Sequence, residues 1–147
     1  AIGAAALMPE LGFLLATGSR STPGEIDALR RCVRSRNVEI VPFLADFQQQ
    51  LMASAVSINM GGDNTVLDVL NARTPALAYP YQGNSEQGLR IARFAAKGLL
   101  HALRPEDLSA GRLKVKIELA LRTPYPAHTI AVDGARATSE RIRAVIG

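Results

Sequence analysis

Short apolar runs alternating with helix-spaced segments predict an α/β fold, a Rossmann-like parallel sheet with helices on both faces. Three observations carry that expectation. Apolar runs recur at 12–18, 38–44, 56–60, 76–80 and 99–103, each the length of a buried strand. Polar turns separate them from stretches whose apolar residues fall at helical spacing, and such alternation places helices over a parallel sheet. The run at 56–60 ends in a glycine pair, Gly61-Gly62, that leads directly into Asp63-Asn64-Thr65 and an apolar helix face.

Taken in order, residues 1–11 read as a helix or its tail, and 12–18 as a strand closed by Gly18. A turn at 19–23 precedes a helix over 24–35, where Ile26, Leu29 and Val33 face opposite Arg30, Arg31, Arg34 and Arg36. The strand at 38–44 leads to a short Gln-rich helix over 46–55. The strand at 56–60 and its helix follow, and Thr74-Pro75 ends that helix because proline restricts the residue before it. Next come a strand at 76–80, a polar loop at 81–85 and a helix over 86–97 closed by Gly98, a common C-terminal cap. A strand at 99–103 leads to a helical region from Pro105 to about Leu121, with a break near Gly111. Pro124 and Pro126 mark an irregular stretch, and 135–146 reads as a terminal helix.

The chain is organised around residues 57–72. A glycine pair between strand and helix lets the main chain approach a ligand without an intervening Cβ. The first N–H groups of the helix and the positive end of its dipole then face that ligand, a ready anion site of the kind phosphate uses. Asp68 lies at i+4 from Asn64, one turn further along the same face, within reach of a ribose diol. The competing reading is an ordinary strand–helix turn with Asp68 as a solvated helix carboxylate, and spacing alone leaves both open. In open parallel sheets ligands sit beyond the carboxyl ends of the strands. The segments at 17–19, 44–46, 61–64 and 81–87 all fall there, so one sheet and one shared edge are expected.

Several classes are excluded by composition. The chain has 147 residues, 48% apolar and 20% charged, ordinary for one globular domain. No apolar run approaches the length of a membrane span. A single cysteine, Cys32, forbids an internal disulfide, fits a reducing compartment and is expected as a packing residue. No His, Cys, Asp and Glu cluster has metal-ligand spacing. The net charge of +4 comes from basic residues spread over several helices with few aromatics between them, the pattern of solvated helix faces. A nucleic-acid partner is therefore not expected, and an anionic membrane surface or acidic partner is the alternative use of those charges.

Together these residues carry a resemblance. Pro42-Phe43, then Gly61-Gly62-Asp63-Asn64-Thr65 and Asp68, then Pro75, Pro80, Gln82, Glu86-Gln87 and Ala95-Ala96-Lys97-Gly98 follow one another in order. That series resembles the C-terminal, nucleotide-sugar-binding domain of GT-B glycosyltransferases. The likeness is greatest to family twenty-eight, which includes the transferase that adds N-acetylglucosamine to the peptidoglycan lipid precursor. It covers about two-thirds of the chain, and the ordered set is more specific than any single motif.

The resemblance implies a UDP-sugar as donor substrate and a role for each position. Main-chain groups at Phe43 and Leu44 would read the uracil edge. Gly61, Gly62, Asp63, Asn64 and Thr65 would hold the diphosphate. Asp68, where the family has Glu, would take the ribose hydroxyls, its shorter side chain reaching less far. Gln82, Glu86 and Gln87 would lie at the donor sugar. Gln82 as a loop hydrogen-bonder and Glu86 as an N-terminal helix charge are the bland readings of the same residues. No metal or other cofactor is implied, since helix dipole and main-chain amides would carry the leaving-group charge.

A GT-B enzyme also has an N-terminal domain that binds acceptor and supplies the catalytic base. That domain or a subunit in its place is the implied partner, and the catalytic residue is unassigned here. His101, in an apolar strand, reads as a core histidine, and His128 has no partner visible in sequence. The family domain begins with a central strand before its first helix, whereas residue 1 falls inside that helix. The expectation is one domain over 1–147 from a longer protein, lacking that first strand, cytoplasmic and peripheral to the membrane in the intact enzyme. A UDP-sugar epimerase of the same architecture and a non-catalytic sugar-nucleotide-binding subunit acting in trans are the alternative functions. Turnover of UDP-N-acetylglucosamine without acceptor would single out the epimerase. A basic nucleic-acid binder would show salt-dependent DNA binding without UDP binding.

Overall fold

The structure is a computed structural model that describes residues 1–130, 132 and 134–146; positions 131, 133 and 147 of the expected domain lie outside the described residues. Among the described residues five strands carry the fold: β1 (Phe13–Ala16), β2 (Val38–Val41), β3 (Ser57–Asn59), β4 (Ala76–Ala78) and β5 (His101–Ala102). The helices are α1 (Ile2–Ala5), α2 (Pro23–Cys32), α3 (Phe47–Ala53), α4 (Asp63–Ala72), α5 (Ser85–Ala95), α6 (Ala110–Arg122) and α7 (Gly134–Ile146), with a 3-10 turn at Pro105–Leu108. Every strand pairing is parallel.

β4 is the middle strand of the order β3-β4-β5, and its three residues are all buried. Side chains alternate across a strand, so Ala76 and Ala78 face one way and Leu77 the other. The two alanines meet Leu51 of α3, Val66, Val69 and Leu70 of α4, and Ile91 of α5. Leu77 meets Ala4 of α1, Met8, and Leu113, Ile117 and Ala120 of α6. The result is the expected sandwich, with α3, α4 and α5 on one face and α1 and α6 on the other. Small residues on one side of β4 bring the backbone of α4 and α5 close to the strand, and the glycine turn between β3 and α4 is fixed by that packing.

The expected single sheet is instead two. β1 and β2 form one ladder, while β3, β4 and β5 form another. β1 and β3 do not pair, and a groove of about 550 Å³ lined by residues of both lies between them.

Other boundaries shift for local reasons. The helix expected over 1–11 is four residues long, and Pro9, which disfavours helix at Met8, keeps it from continuing to residue 11. Thr22 caps α2 through a reciprocal pairing with Glu25, so the helix starts inside the expected turn. The same helix ends at Cys32, which is exposed and not a packing residue. α4 ends one residue before Thr74-Pro75, at Arg73 in the left-handed region (φ 54°). The break before α6 falls at the extended Ser109 rather than at Gly111. Gly98 does close α5, at φ 70°.

Candidate functional site

The glycine turn is built from three local facts. Asn59, the last residue of β3, accepts the Gly61 N–H on its side-chain oxygen at 2.9 Å. Gly61 then turns at φ 68°, a left-handed conformation in which a Cβ would stand 2.5 Å from Ile91 Cγ1 of α5. Gly62 has an ordinary φ of −63° and serves as the N-cap of α4, with no side chain capping the helix. Asp63, Asn64 and Thr65 therefore form the first turn, with their N–H groups left to an external acceptor.

The two glycines do different work. Gly61 is required by packing against α5 and by its backbone conformation. Gly62 is required by neither, since a Cβ there would meet only Thr65 Oγ1 at 4.0 Å. Its missing side chain leaves the approach to the helix N-terminus open.

Arg90 of α5 completes the site, and the sequence reading did not single it out. Its Nη1 donates to the Gly61 carbonyl oxygen at 3.0 Å, and its guanidinium pairs with the Asp63 carboxylate. Asp63 is largely exposed while Arg90 is mostly covered, so the cation is held by the fold and the anion is at the mouth. The one sequence signal was its position three residues after Gln87, on the same face of the helix.

The loop after β4 leads into α5, which is joined to the glycine turn by Arg90 and by Ile91 against Gly61. Within that loop Asn84 caps α5 by accepting the Gln87 N–H at 3.0 Å. The Gln87 side-chain oxygen accepts the Tyr81 N–H at 2.8 Å and so folds 81–87 back over the helix start. Gln82 and Glu86 are exposed on the same loop and first turn.

Asp68 is half-buried on α4, and its carboxylate has no protein partner among the described residues. Its backbone carbonyl instead accepts from Gln48 Nε2 of α3 at 3.4 Å, which fixes α3 beside α4. The β2–α3 loop holding Phe43 and Leu44 leads into α3. Phe43 is 64% exposed, and the peptide groups of both residues are free of hydrogen bonds within the described chain.

Neither histidine joins this site. His128 Nε2 lies 3.3 Å from the Leu70 carbonyl oxygen, roughly 10 Å along α4 from its N-terminus at 1.5 Å per residue. It packs edge-on to Tyr125 and ties the proline-rich segment to the helix. His101 sits in β5, where burial first and the nearby Lys116 second hold its imidazole below the ordinary value of 6.5. No group of three or more His, Cys, Asp or Glu among the described residues could hold a metal ion, and no described helix is long and apolar enough to cross a membrane.

Residues 4–137 match the model of the glycosyltransferase family 28 C-terminal domain. The zeaxanthin glucosyltransferase of Pantoea ananas is 43% identical over 68 residues, 46% of this chain and 15% of that protein. The UDP-N-acetylglucosamine–N-acetylmuramyl-(pentapeptide) pyrophosphoryl-undecaprenol N-acetylglucosamine transferase of Carboxydothermus hydrogenoformans is 26% identical over 122 residues, 80% of this chain and 32% of that protein. The crystal structure of MurG from Acinetobacter baumannii superposes with a TM-score of 0.65 at 15% identity, over 95% of this chain and 44% of that one. A glycotransferase of kitacinnamycin gives 0.66 at 17% identity, over 97% of this chain and 32% of that one. Both structures share the fold, and the chain spans less than half the length of each of these proteins.

Proposed function

The chain belongs to the glycosyltransferase family 28 C-terminal domain family, the C-terminal half of a GT-B fold, and from that premise we propose that it binds the nucleotide-sugar donor of a hexosyltransferase. The observation that carries the reading is the uncapped N-terminus of α4, opened by Gly62 and flanked by the fixed guanidinium of Arg90. Helix N–H groups and a cation on one spot suit the two negative charges of a nucleoside diphosphate.

In this reading the diphosphate of a UDP-sugar lies on Gly61–Thr65, with Arg90 as a further charge partner. Asp68, free of protein partners, takes the ribose hydroxyls. The free peptide groups of Phe43 and Leu44 meet the uracil edge, and Gln82, Glu86 and Gln87 lie toward the sugar. An acceptor hydroxyl attacks the anomeric carbon and UDP departs, its growing charge stabilised by donors already in place. Helix, main chain and Arg90 supply that stabilisation, and the reading assigns no step to a metal. The acceptor and the base belong to an N-terminal domain or subunit, which this domain requires for turnover. The wide match to N-acetylglucosamine transferases favours UDP-N-acetylglucosamine as the donor. Exposed basic residues on α2 suit work beside an anionic membrane surface on the cytoplasmic side.

Calorimetric titration with UDP tests this. With half a cleft, the expected Kd is on the order of 0.1–1 mM. Binding of ADP or GDP with no response to UDP would overturn the uridine assignment.

A further inference from the structure

Gly61 is a free joint at the mouth of the site. Glycine is obligatory there, because a Cβ would stand 2.5 Å from Ile91 Cγ1, yet glycine alone does not hold φ at 68°. Side chains hold both of its peptide groups instead. Asn59 Oδ1 accepts the Gly61 N–H at 2.9 Å, and Arg90 Nη1 donates to the Gly61 carbonyl oxygen at 3.0 Å. Gly61 therefore offers a ligand no donor of its own. What it sets is the direction of the carbonyl on which the Arg90 guanidinium rests.

Asn59 is itself fixed in main chain and side chain. Its backbone carbonyl accepts the Tyr79 N–H, just past β4, at 3.0 Å, so the ladder holds its main chain. Its Nδ2 donates to Ser57 Oγ at 3.2 Å, two residues back on the same side of β3. The Gly61 N–H can be met only by the amide oxygen, and the amide nitrogen is engaged on Ser57, so the side chain has one orientation. Alanine at this position would supply neither bond.

We propose that Asn59 is a positioning residue of the nucleotide site: through Gly61 it fixes the Arg90 guanidinium where the diphosphate is met. The contacts run from Ser57 Oγ through the Asn59 amide and Gly61 to Arg90, and end at Asp63, with which Arg90 pairs. A loose guanidinium would have to be ordered by the incoming ligand. One already resting on a fixed carbonyl is ordered beforehand, and binding is stronger by that difference. The inference rests on the donor-binding reading above, and adds to it a residue that acts on the ligand only through Arg90. A mere brace of the turn would weaken binding by the same factor whether or not Arg90 were present.

The test is a double-mutant cycle on Asn59→Ala, Arg90→Ala and the two combined, with UDP and uridine affinities read from amide shifts during titration. Asn59→Ala is expected to weaken UDP binding about fivefold in the parent, and less than about twofold where Arg90 is already alanine. Uridine, which carries no phosphate, should bind the parent and every variant within about twofold. The same factor for UDP in both backgrounds, or a loss for uridine equal to that for UDP, would overturn the proposal and leave the donor-binding reading intact. No UDP binding by the parent would overturn both. Should Asn59→Ala fail to fold, Ser57→Ala frees the Asn59 amide to turn and runs the same cycle. It should weaken UDP binding about threefold in the parent and not at all beside Arg90→Ala. Equal factors in the two backgrounds would again overturn the proposal.

Discussion

Arg90 reaches from α5 to the glycine turn of the neighbouring βα unit, where it donates to the Gly61 carbonyl oxygen and pairs with the Asp63 carboxylate. Asp63 therefore stands where an incoming phosphate would compete for the same cation. Arg90→Ala should weaken UDP binding about ten- to a hundredfold, the loss of one charge-assisted bond of roughly 1.5–3 kcal/mol. Asp63→Asn should tighten it a few-fold by removing the competing anion. Calorimetry on both variants checks this, and equal weakening by both would mean that the pair only braces the turn.

The two glycines should separate stability from binding. Gly61→Ala adds left-handed strain and a clash with Ile91, and should cost about 2–4 kcal/mol of stability. Gly62→Ala should leave stability within about 0.5 kcal/mol while a methyl group at the helix mouth weakens UDP binding at least tenfold. Urea unfolding and UDP titration of each variant read the two effects apart.

Asp68 offers a carboxylate with no protein partner. If it takes both ribose hydroxyls, Asp68→Ala weakens UDP binding about ten- to a hundredfold with little change in Tm. Asp68→Glu, with the longer side chain of the family, should bind at least as well as the parent. Binding of 2′,3′-dideoxy-UDP should be weak and insensitive to Asp68→Ala, since its partners are already gone. A fall in Tm with unchanged UDP affinity would make Asp68 structural.

His101 gives a pH dependence with a definite sign. Burial, then Lys116, lowers its folded pKa, so between that value and 6.5 the unfolded chain binds more protons than the folded one. Stability should be level above about pH 7.5, fall as pH drops through 6.5, and level again below the folded value. His101→Gln should remove this part of the slope in urea midpoints measured from pH 8 to 5. An unchanged slope would place the titration elsewhere.

The glycine turn and the order of strands and helices were legible in the sequence because each depends on local chemistry: Gly61 on backbone freedom, Val66, Val69 and Leu70 on helical spacing, and Gly98 on its left-handed cap. Strand ends were less so. The apolar run at 12–18 outlasts the ladder of β1, since hydrophobicity marks burial and pairing marks the strand. Arg90 was not legible, because its partners lie 27 and 29 residues away and only packing of α5 on the turn joins them. Nor was the separation of β1 from β3, which no spacing within the chain encodes. Cys32 looked like a core residue by its place in an amphipathic segment, but α2 buries only Ile26.

The central claim is that the N-terminus of α4 seats the diphosphate of a uridine nucleotide, and residue-resolved amide shifts during UDP titration test it most directly. The account predicts saturating shifts that are largest at Gly62, Asp63, Asn64 and Thr65, with smaller ones at Leu44, Ala45 and Asp68. Uridine alone should move Leu44, Ala45 and Asp68 and leave Gly62–Thr65 in place. Saturating shifts confined to the outer face of α5 around Arg93 and Lys97, with Gly62–Thr65 unmoved, would contradict it.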